Sequence, residues 1–215
     1  MIWWELMWLS AQDITTRPWP YLVFAMMHLI MGQLGAAWLY RARFGGSPLT
    51  IYRRGLEPTP HMDATRRLVI PALVWGASLI CYALWPEFRQ TWQGAPLVEL
   101  PAWIGWVGGW LSLAGMMWSQ ASMGRAFQVG QDEAREDAPT LVTSGPFARS
   151  RNPVYVFSFL YLVSVTTWAP CPLILTALTS LGWGMHQLVL CEETFLYSQL
   201  GESFDEYCRR VPRYL

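Results

Sequence analysis

Two clusters in the last third of the chain have residue types and spacing that could do chemistry. The first is Thr143-Ser144-Gly145-Pro146-Phe147-Ala148-Arg149-Ser150-Arg151-Asn152-Pro153-Val154-Tyr155. Gly145-Pro146 marks a turn. Asn152 precedes Pro153 and is biased away from helix. Asn is a good N-cap and Pro a good first helical residue, so a helix is predicted to start at Pro153. Its free N–H groups and partial positive charge, with Arg149 and Arg151 beside them, would suit a carboxylate or phosphate. An ordinary cap flanked by arginines accounts for the same residues equally well.

The second cluster is Glu192-Glu193, where the last apolar stretch ends. Adjacent acids at a membrane exit are costly unless solvated or partnered. Thr194–Leu200 followed by Gly201 predicts a helix that runs on and stops at the glycine. Carboxylates here could accept from ribose hydroxyls or an α-ammonium; a plain juxtamembrane acidic pair is the alternative. His186, inside the same apolar stretch, is a candidate catalytic base. A neutral histidine bonded to a neighbouring helix fits it as well. His28, His61 and His186 are far apart in sequence and form no ligand pattern. Cys81, Cys171, Cys191 and Cys208 form no C-x-x-C pair, so neither a metal centre nor a disulfide framework is expected. G-x-G-x-x-G and the P-loop pattern are absent.

These clusters need a scaffold, and the composition says which kind. Hydrophobic residues make up 53% of the 215 and charged residues 14%, with 14 tryptophans. Soluble domains carry about 25% charged residues. The 15 basic residues are all Arg and are balanced by 15 acids, which leaves no basic surplus for a nucleic-acid partner. Five apolar stretches stand out: Trp19–Tyr40, Leu68–Trp85, Leu97–Trp118, Pro153–Trp168 and Leu173–Cys191. A bilayer core of about 30 Å takes roughly 20 helical residues. The fourth stretch is short, and Ala169-Pro170-Cys171-Pro172 joins it to the fifth as a tight hairpin. Trp19, Trp38, Trp85, Trp103, Trp118 and Trp168 fall at stretch ends, as in an interfacial aromatic belt. The predicted fold is therefore an all-α polytopic membrane bundle of about five helices.

Arginines set its orientation. Arg41, Arg43, Arg53, Arg54, Arg66 and Arg67 share one loop, and Arg125, Arg135, Arg149 and Arg151 share another. Arg209, Arg210 and Arg213 lie in the tail, while Arg17 and Arg89 fall on the opposite side. The positive-inside rule puts the N-terminus outside and the tail in the cytoplasm, and the expected location is a prokaryotic cell membrane. Met1–Ser10 lacks a basic start and carries Trp3, Trp4 and Trp8, so it reads as an interfacial helix rather than a signal peptide. The organisation expected is an interfacial segment at 1–18 and three spans in 19–118. A cofactor-binding region follows at 119–215, with its hairpin at 153–191. Gln131–Asp137 is a mixed charge run that reads as a solvated loop. Gly105, Gly108, Gly109, Ser112 and Gly115 put small residues on one helix face, for close packing or for a ligand against the backbone.

Taken together, G-P-F-x-x-x-R-N-P-x-Y followed by E-E-x-x-L-x-x-x-L-G-x-x-F-x-x-Y-x-x-x-V-P-R resembles the isoprenylcysteine carboxyl methyltransferases and the wider group that includes phospholipid methyltransferases. The resemblance runs from about Met123 to Arg213. It implies S-adenosylmethionine as methyl donor, S-adenosylhomocysteine as product, and a lipophilic acceptor arriving from the membrane lipid. It implies cofactor contacts from Gly145, Pro146, Phe147, Arg151, Asn152, Pro153, Tyr155, Glu192 and Glu193. An isoprenoid or lipid carboxylate is the first acceptor it implies, a phospholipid amine the second and a small thiol the third. Many members carry His where this chain has Asn152. Eukaryotic prenylcysteine enzymes carry Arg and further Glu where this chain has Leu188, Leu190 and Cys191. That departure weakens the case for a prenylcysteine carboxylate. Two other readings stay open: an NADPH-dependent membrane reductase of the sterol-reductase type, and a non-enzymatic membrane subunit.

Overall fold

A computed structural model describes residues 18–45, 60–91, 100–127 and 140–215. Met1–Ser10, Arg17, Arg53, Arg54, Arg135 and the Gln131–Asp137 run lie outside the described residues. Within them every regular element is helical, as the composition predicts. In chain order these are α1 (Pro18–Leu29), α2 (Ala36–Phe44), α3 (Pro60–Leu84), α4 (Pro86–Thr91), α5 (Ala102–Met123), α6 (Pro153–Thr166), α7 (Pro172–Leu200) and α8 (Glu202–Arg210). A π-helical turn at Ile30–Gly35 links α1 to α2, and Gly145–Ala148 forms a 3-10 turn ahead of α6.

Local chemistry sets the boundaries. Pro occupies the first turn of both α6 and α7, where its missing N–H costs nothing. α7 ends where Gly201 takes φ +52°, the stop expected from its sequence. α5 starts and ends later than its apolar stretch. Pro101 precedes it, and it runs on through Ser119 and Gln120, which are buried against protein rather than leaving the bilayer. Ser119 Oγ donates back to Gly115 O at 2.7 Å, so its hydroxyl is satisfied within the helix.

Among the described residues two helices, Asp63–Leu84 and Pro172–Leu200, are long and apolar enough to cross a membrane. The five expected spans do not all reach that standard. The π turn divides the first, α6 has only 14 residues, and Trp, Gly and Ser lower the hydropathy of α5. Large apolar side chains nonetheless face outward along several helices, among them Val23, Leu34, Ile70, Leu73, Trp110 and Leu111. Outward apolar faces of this extent suit lipid contact.

The helices pack as two pairs, α5 against α6 and α3 against α7. The small-residue face of α5 is the seam of the first pair. A Cβ on Gly105 would strike Trp168 and Thr167, one on Gly108 would strike Ser164, and one on Gly115 would overlap the Phe157 ring. Close packing, not a ligand, occupies that face. Trp168 departs from the expected belt. It is fully buried, its indole N–H donates to Ala102 O at 3.0 Å, and it stacks near Tyr21 and Trp106. Trp19, Trp38, Trp85, Trp103 and Trp118 are exposed, as belt residues should be.

Adding one methyl at the seam or away from it should give opposite signs. Gly115→Ala should cost about 1–3 kcal/mol by overpacking against Phe157. Gly76→Ala, mid-helix in α3 with open space around it, should gain about 0.5–1 kcal/mol. Thermal unfolding in detergent checks both; equal shifts would contradict the α5–α6 seam.

Candidate functional site

The predicted clusters meet at one end of the bundle, and the buried carboxylate of Glu193 is where they join. Arg151 grips it two-pronged, Nε to Oε1 at 3.1 Å and Nη2 to Oε2 at 3.2 Å. Arg213 adds Nε and Nη2 to Oε2 at 2.9 and 2.8 Å. Asn152 donates Nδ2 to Oε1 at 2.9 Å. Both carboxylate oxygens are thus filled by donors of the protein itself. Charge-assisted, forked contacts of this kind are the strong class of hydrogen bond.

The C-terminal strap after α8 closes over this ion pair. The Arg151 backbone N–H donates to Pro212 O at 3.0 Å, and its Nη1 donates to Cys208 O and Val211 O. Ser150 Oγ and Asn152 Nδ2 both donate to Arg213 O at 3.3 Å. Asn152 sits at the N-cap position of α6, but its side chain does not cap the helix. The Nδ2 hydrogen bonds to the Glu193 carboxylate and the strap carbonyl hold the amide in an orientation in which its oxygen makes no cap hydrogen bond. The anion at this helix start is therefore an internal one. Tyr207 on α8 donates its hydroxyl to Phe147 O at 2.7 Å, which fastens the Gly145–Ala148 turn to the same strap. Gly145 has φ +62°, the left-handed conformation that favours glycine, and Pro146 and Phe147 are buried.

Glu192 has a different set of neighbours. Its Oε1 accepts the Tyr155 hydroxyl at 2.6 Å and lies 3.2 Å from His61 Nε2. Its Oε2 takes no hydrogen bond among the described residues, and the side chain is 33% exposed. His61 was not foreseen as part of the site. It lies 131 positions from Glu192, and no spacing rule joins a histidine in the first turn of α3 to an acid near the end of α7. The sequence hints at it only in that both residues lie beside expected spans, on the side where the arginines cluster. His186, the expected base, does not reach this cluster. Its Nδ1 pairs with Tyr214 OH at 2.7 Å, on the strap's far end. Arg149 is exposed and has no ion pair among the described residues.

A separate cavity of about 370 Å³ opens between α2 and the end of α5. Met31, Trp38, Phe44, Met117 and Phe127 line it, with Arg43 at its edge. Arg43 and Arg125 both lie over the Phe44 ring, 5.7 and 5.5 Å from its centre.

With this geometry in place, the comparisons with known proteins are specific. The phospholipid methyltransferase family matches residues 102–203, the stretch that carries α5, α6 and α7 with both acidic residues. The C-terminal half of the chain is similar to this family. The chain is also similar to three curated proteins. A nickel-cobalt-cadmium resistance protein, NccN, of Alcaligenes xylosoxydans xylosoxydans is 27% identical over 68% of this chain and 59% of its own length. The protein-S-isoprenylcysteine O-methyltransferase of Xenopus laevis is 28% identical over 63% of this chain and 48% of its own. A cobalt-zinc-cadmium resistance protein, CzcN, of Cupriavidus metallidurans is 34% identical over 52% of each. The chain thus spans about half to three-fifths of the length of these relatives. No solved structure matches it. The methyltransferase-family region contains the Arg151–Glu193 pair, while His61 precedes it and Arg213 follows it.

Two measurements test this geometry. Arg151→Leu should cost about 3–5 kcal/mol, because it strands a buried carboxylate. Arg213→Ala should cost less, since that side chain is 38% exposed. Equal losses in denaturant unfolding would mean that Arg151 is not the principal partner. Burial pushes the Tyr207 hydroxyl up to about 12 from an ordinary 10, and the Glu193 and Cys208 charges add to it while Arg151 opposes them. The folded state therefore keeps a proton that the unfolded chain releases, so stability should fall as pH rises from about 10 to about 12. Tyr207→Phe should remove part of that alkaline loss; an unchanged pH profile would contradict the burial of this hydroxyl.

Proposed function

We propose that the protein is an integral membrane methyltransferase that uses S-adenosylmethionine and acts on a lipophilic acceptor. The observation that carries this reading is the meeting, inside the region matched by the methyltransferase family, of the R-N-P element with the Glu192-Glu193 pair. Five passes, with the N-terminus outside and the strap in the cytoplasm, remain the topology we propose. The arginine distribution and the outward apolar faces support it.

The residues present fit the cofactor. Its methyl group is carried on a sulfonium, which makes the methyl carbon electrophilic without further activation. Glu192 Oε2 is open to accept from hydroxyl or ammonium groups. Arg149 is a free guanidinium beside the Gly145–Ala148 turn and suits a carboxylate. Pro146 and Phe147 give that turn an apolar floor. Glu193, Arg151 and Asn152 hold these elements in register rather than offering free contacts. Transfer between two bound reactants draws chiefly on orientation, which can supply up to about 7–11 kcal/mol. The apolar cavity beside Phe44 has the lining expected for the tail of a lipophilic acceptor.

Thermal shift of the detergent-solubilised protein with S-adenosylhomocysteine and NADPH, each alone, tests the reading. Ligand at a hundredfold excess over its dissociation constant should stabilise the native state by about 2.7 kcal/mol. Stabilisation by S-adenosylhomocysteine alone is expected. Glu192→Gln should weaken that response while leaving the unliganded transition in place. Stabilisation by NADPH alone would move the chain to the reductases, and a response to neither would favour a non-enzymatic subunit.

A further inference from the structure

We infer that His61 is the general base of this site, and that the acceptor therefore carries an exchangeable proton on nitrogen or sulfur rather than being a carboxylate. This rests on the methyltransferase reading and adds to it a residue and an acceptor class.

The starting point is the histidine's environment. His61 is only 4% exposed, in the first turn of α3. Its Nε2 lies 3.2 Å from Glu192 Oε1. Its Nδ1 is buried and has no hydrogen-bond partner among the described residues. A carboxylate is an acceptor only, so the Nε2 nitrogen must carry the proton and donate it. That choice of tautomer leaves Nδ1 as a bare lone pair. A buried polar atom without a partner costs free energy comparable to a lost hydrogen bond, and such an atom is explained when a ligand proton completes it. The Tyr155 hydroxyl donates to the same Oε1 at 2.6 Å, which fixes the carboxylate and, through it, the ring. Nucleophile-activating histidines are organised in this way elsewhere: one nitrogen held by a carboxylate, the other free to take a proton. His186 lacks this arrangement, because its Nδ1 is already engaged by Tyr214.

The chemistry then follows from the acceptor's charge state. An ionised carboxylate has a free electron pair and gives a base nothing to do. An ammonium or a thiol must first lose a proton. His61 Nδ1 takes that proton, and the bared pair on nitrogen or sulfur forms the new bond to the methyl carbon. The sulfur–carbon bond of the donor breaks, and its electron pair stays on that sulfur. The imidazolium so formed sits against the Glu192 carboxylate, and the proton then passes to water. No oxidant or further reactant is required.

The test uses the full-length protein in phosphatidylcholine nanodiscs, with radiolabelled S-adenosylmethionine and dodecylamine, dodecanethiol or dodecanoate as acceptor. Methyl transfer to the amine or the thiol is expected. In His61→Gln it should fall by at least about a hundredfold, the scale of general-base catalysis, while S-adenosylhomocysteine still stabilises both proteins. Isotope-edited NMR of the imidazole nitrogens of the wild-type protein should show the proton on Nε2 and a bare Nδ1. Transfer confined to dodecanoate, transfer to none of the three, an unchanged rate in His61→Gln, or a proton on Nδ1 each overturns the inference. Loss of S-adenosylhomocysteine stabilisation in His61→Gln also overturns it, because it makes the histidine a support of the cofactor site. Absence of that stabilisation in the wild type instead overturns the methyltransferase reading itself.

Discussion

The Glu193 carboxylate is the constraint on which the rest of this end of the molecule depends. A buried carboxylate must be paired or neutralised. Here three side chains pair it, from two separate parts of the chain: Arg151 and Asn152 at the start of α6, and Arg213 on the strap. Arg151 is in turn held by the carbonyls of Cys208 and Val211, and Asn152 by Ser150 Oγ and the carbonyl of Arg213. The result fixes where α6 begins relative to where α7 leaves the bundle. Replacing such a cluster with apolar residues can be neutral for stability, so its value lies in register. It allows only one seating of the strap over the Gly145–Ala148 turn.

Glu192 and Glu193 are neighbours in sequence and part company in space. Successive residues on an α-helix point about 100° apart, given 3.6 residues per turn. One acid therefore faces the α6 start and the strap, while the other faces Tyr155 and the first turn of α3. Helical geometry alone turns a repeated residue into two environments. The first is saturated by cations. The second keeps an open oxygen and a histidine.

This split also explains what could be read in the sequence and what could not. The start of α6 at Pro153, the stop of α7 at Gly201 and the packing role of the α5 glycines were all legible. Each rests on local stereochemistry or on spacing within one helix. The union of Arg151, Asn152 and Glu193 was legible only as a shared resemblance, with the anion at the helix start left unidentified. His61 was not legible, because its partner lies in another helix and nothing local marks it. Trp168 was misplaced for a similar reason. A tryptophan at the end of an apolar stretch looks interfacial until Gly105 of α5 opens a slot for it.

The family match therefore marks a region and not a complete site. It covers residues 102–203, yet the acid cluster inside it is closed on one side by His61 and on the other by Arg213. Among the described residues the N-terminal half is tied to that cluster in different ways. α3 reaches it directly through His61. α1 reaches it indirectly, since Phe24 packs on Trp168 and Trp106, and the Tyr161 hydroxyl of α6 donates to Phe24 O. A shift of α6 relative to α1 would thus strain the buried aromatic cluster, and a shift of α3 relative to α7 would separate His61 from Glu192. The elements around Glu193 and the elements around His61 are mechanically one assembly, although only the former carry the recognisable pattern.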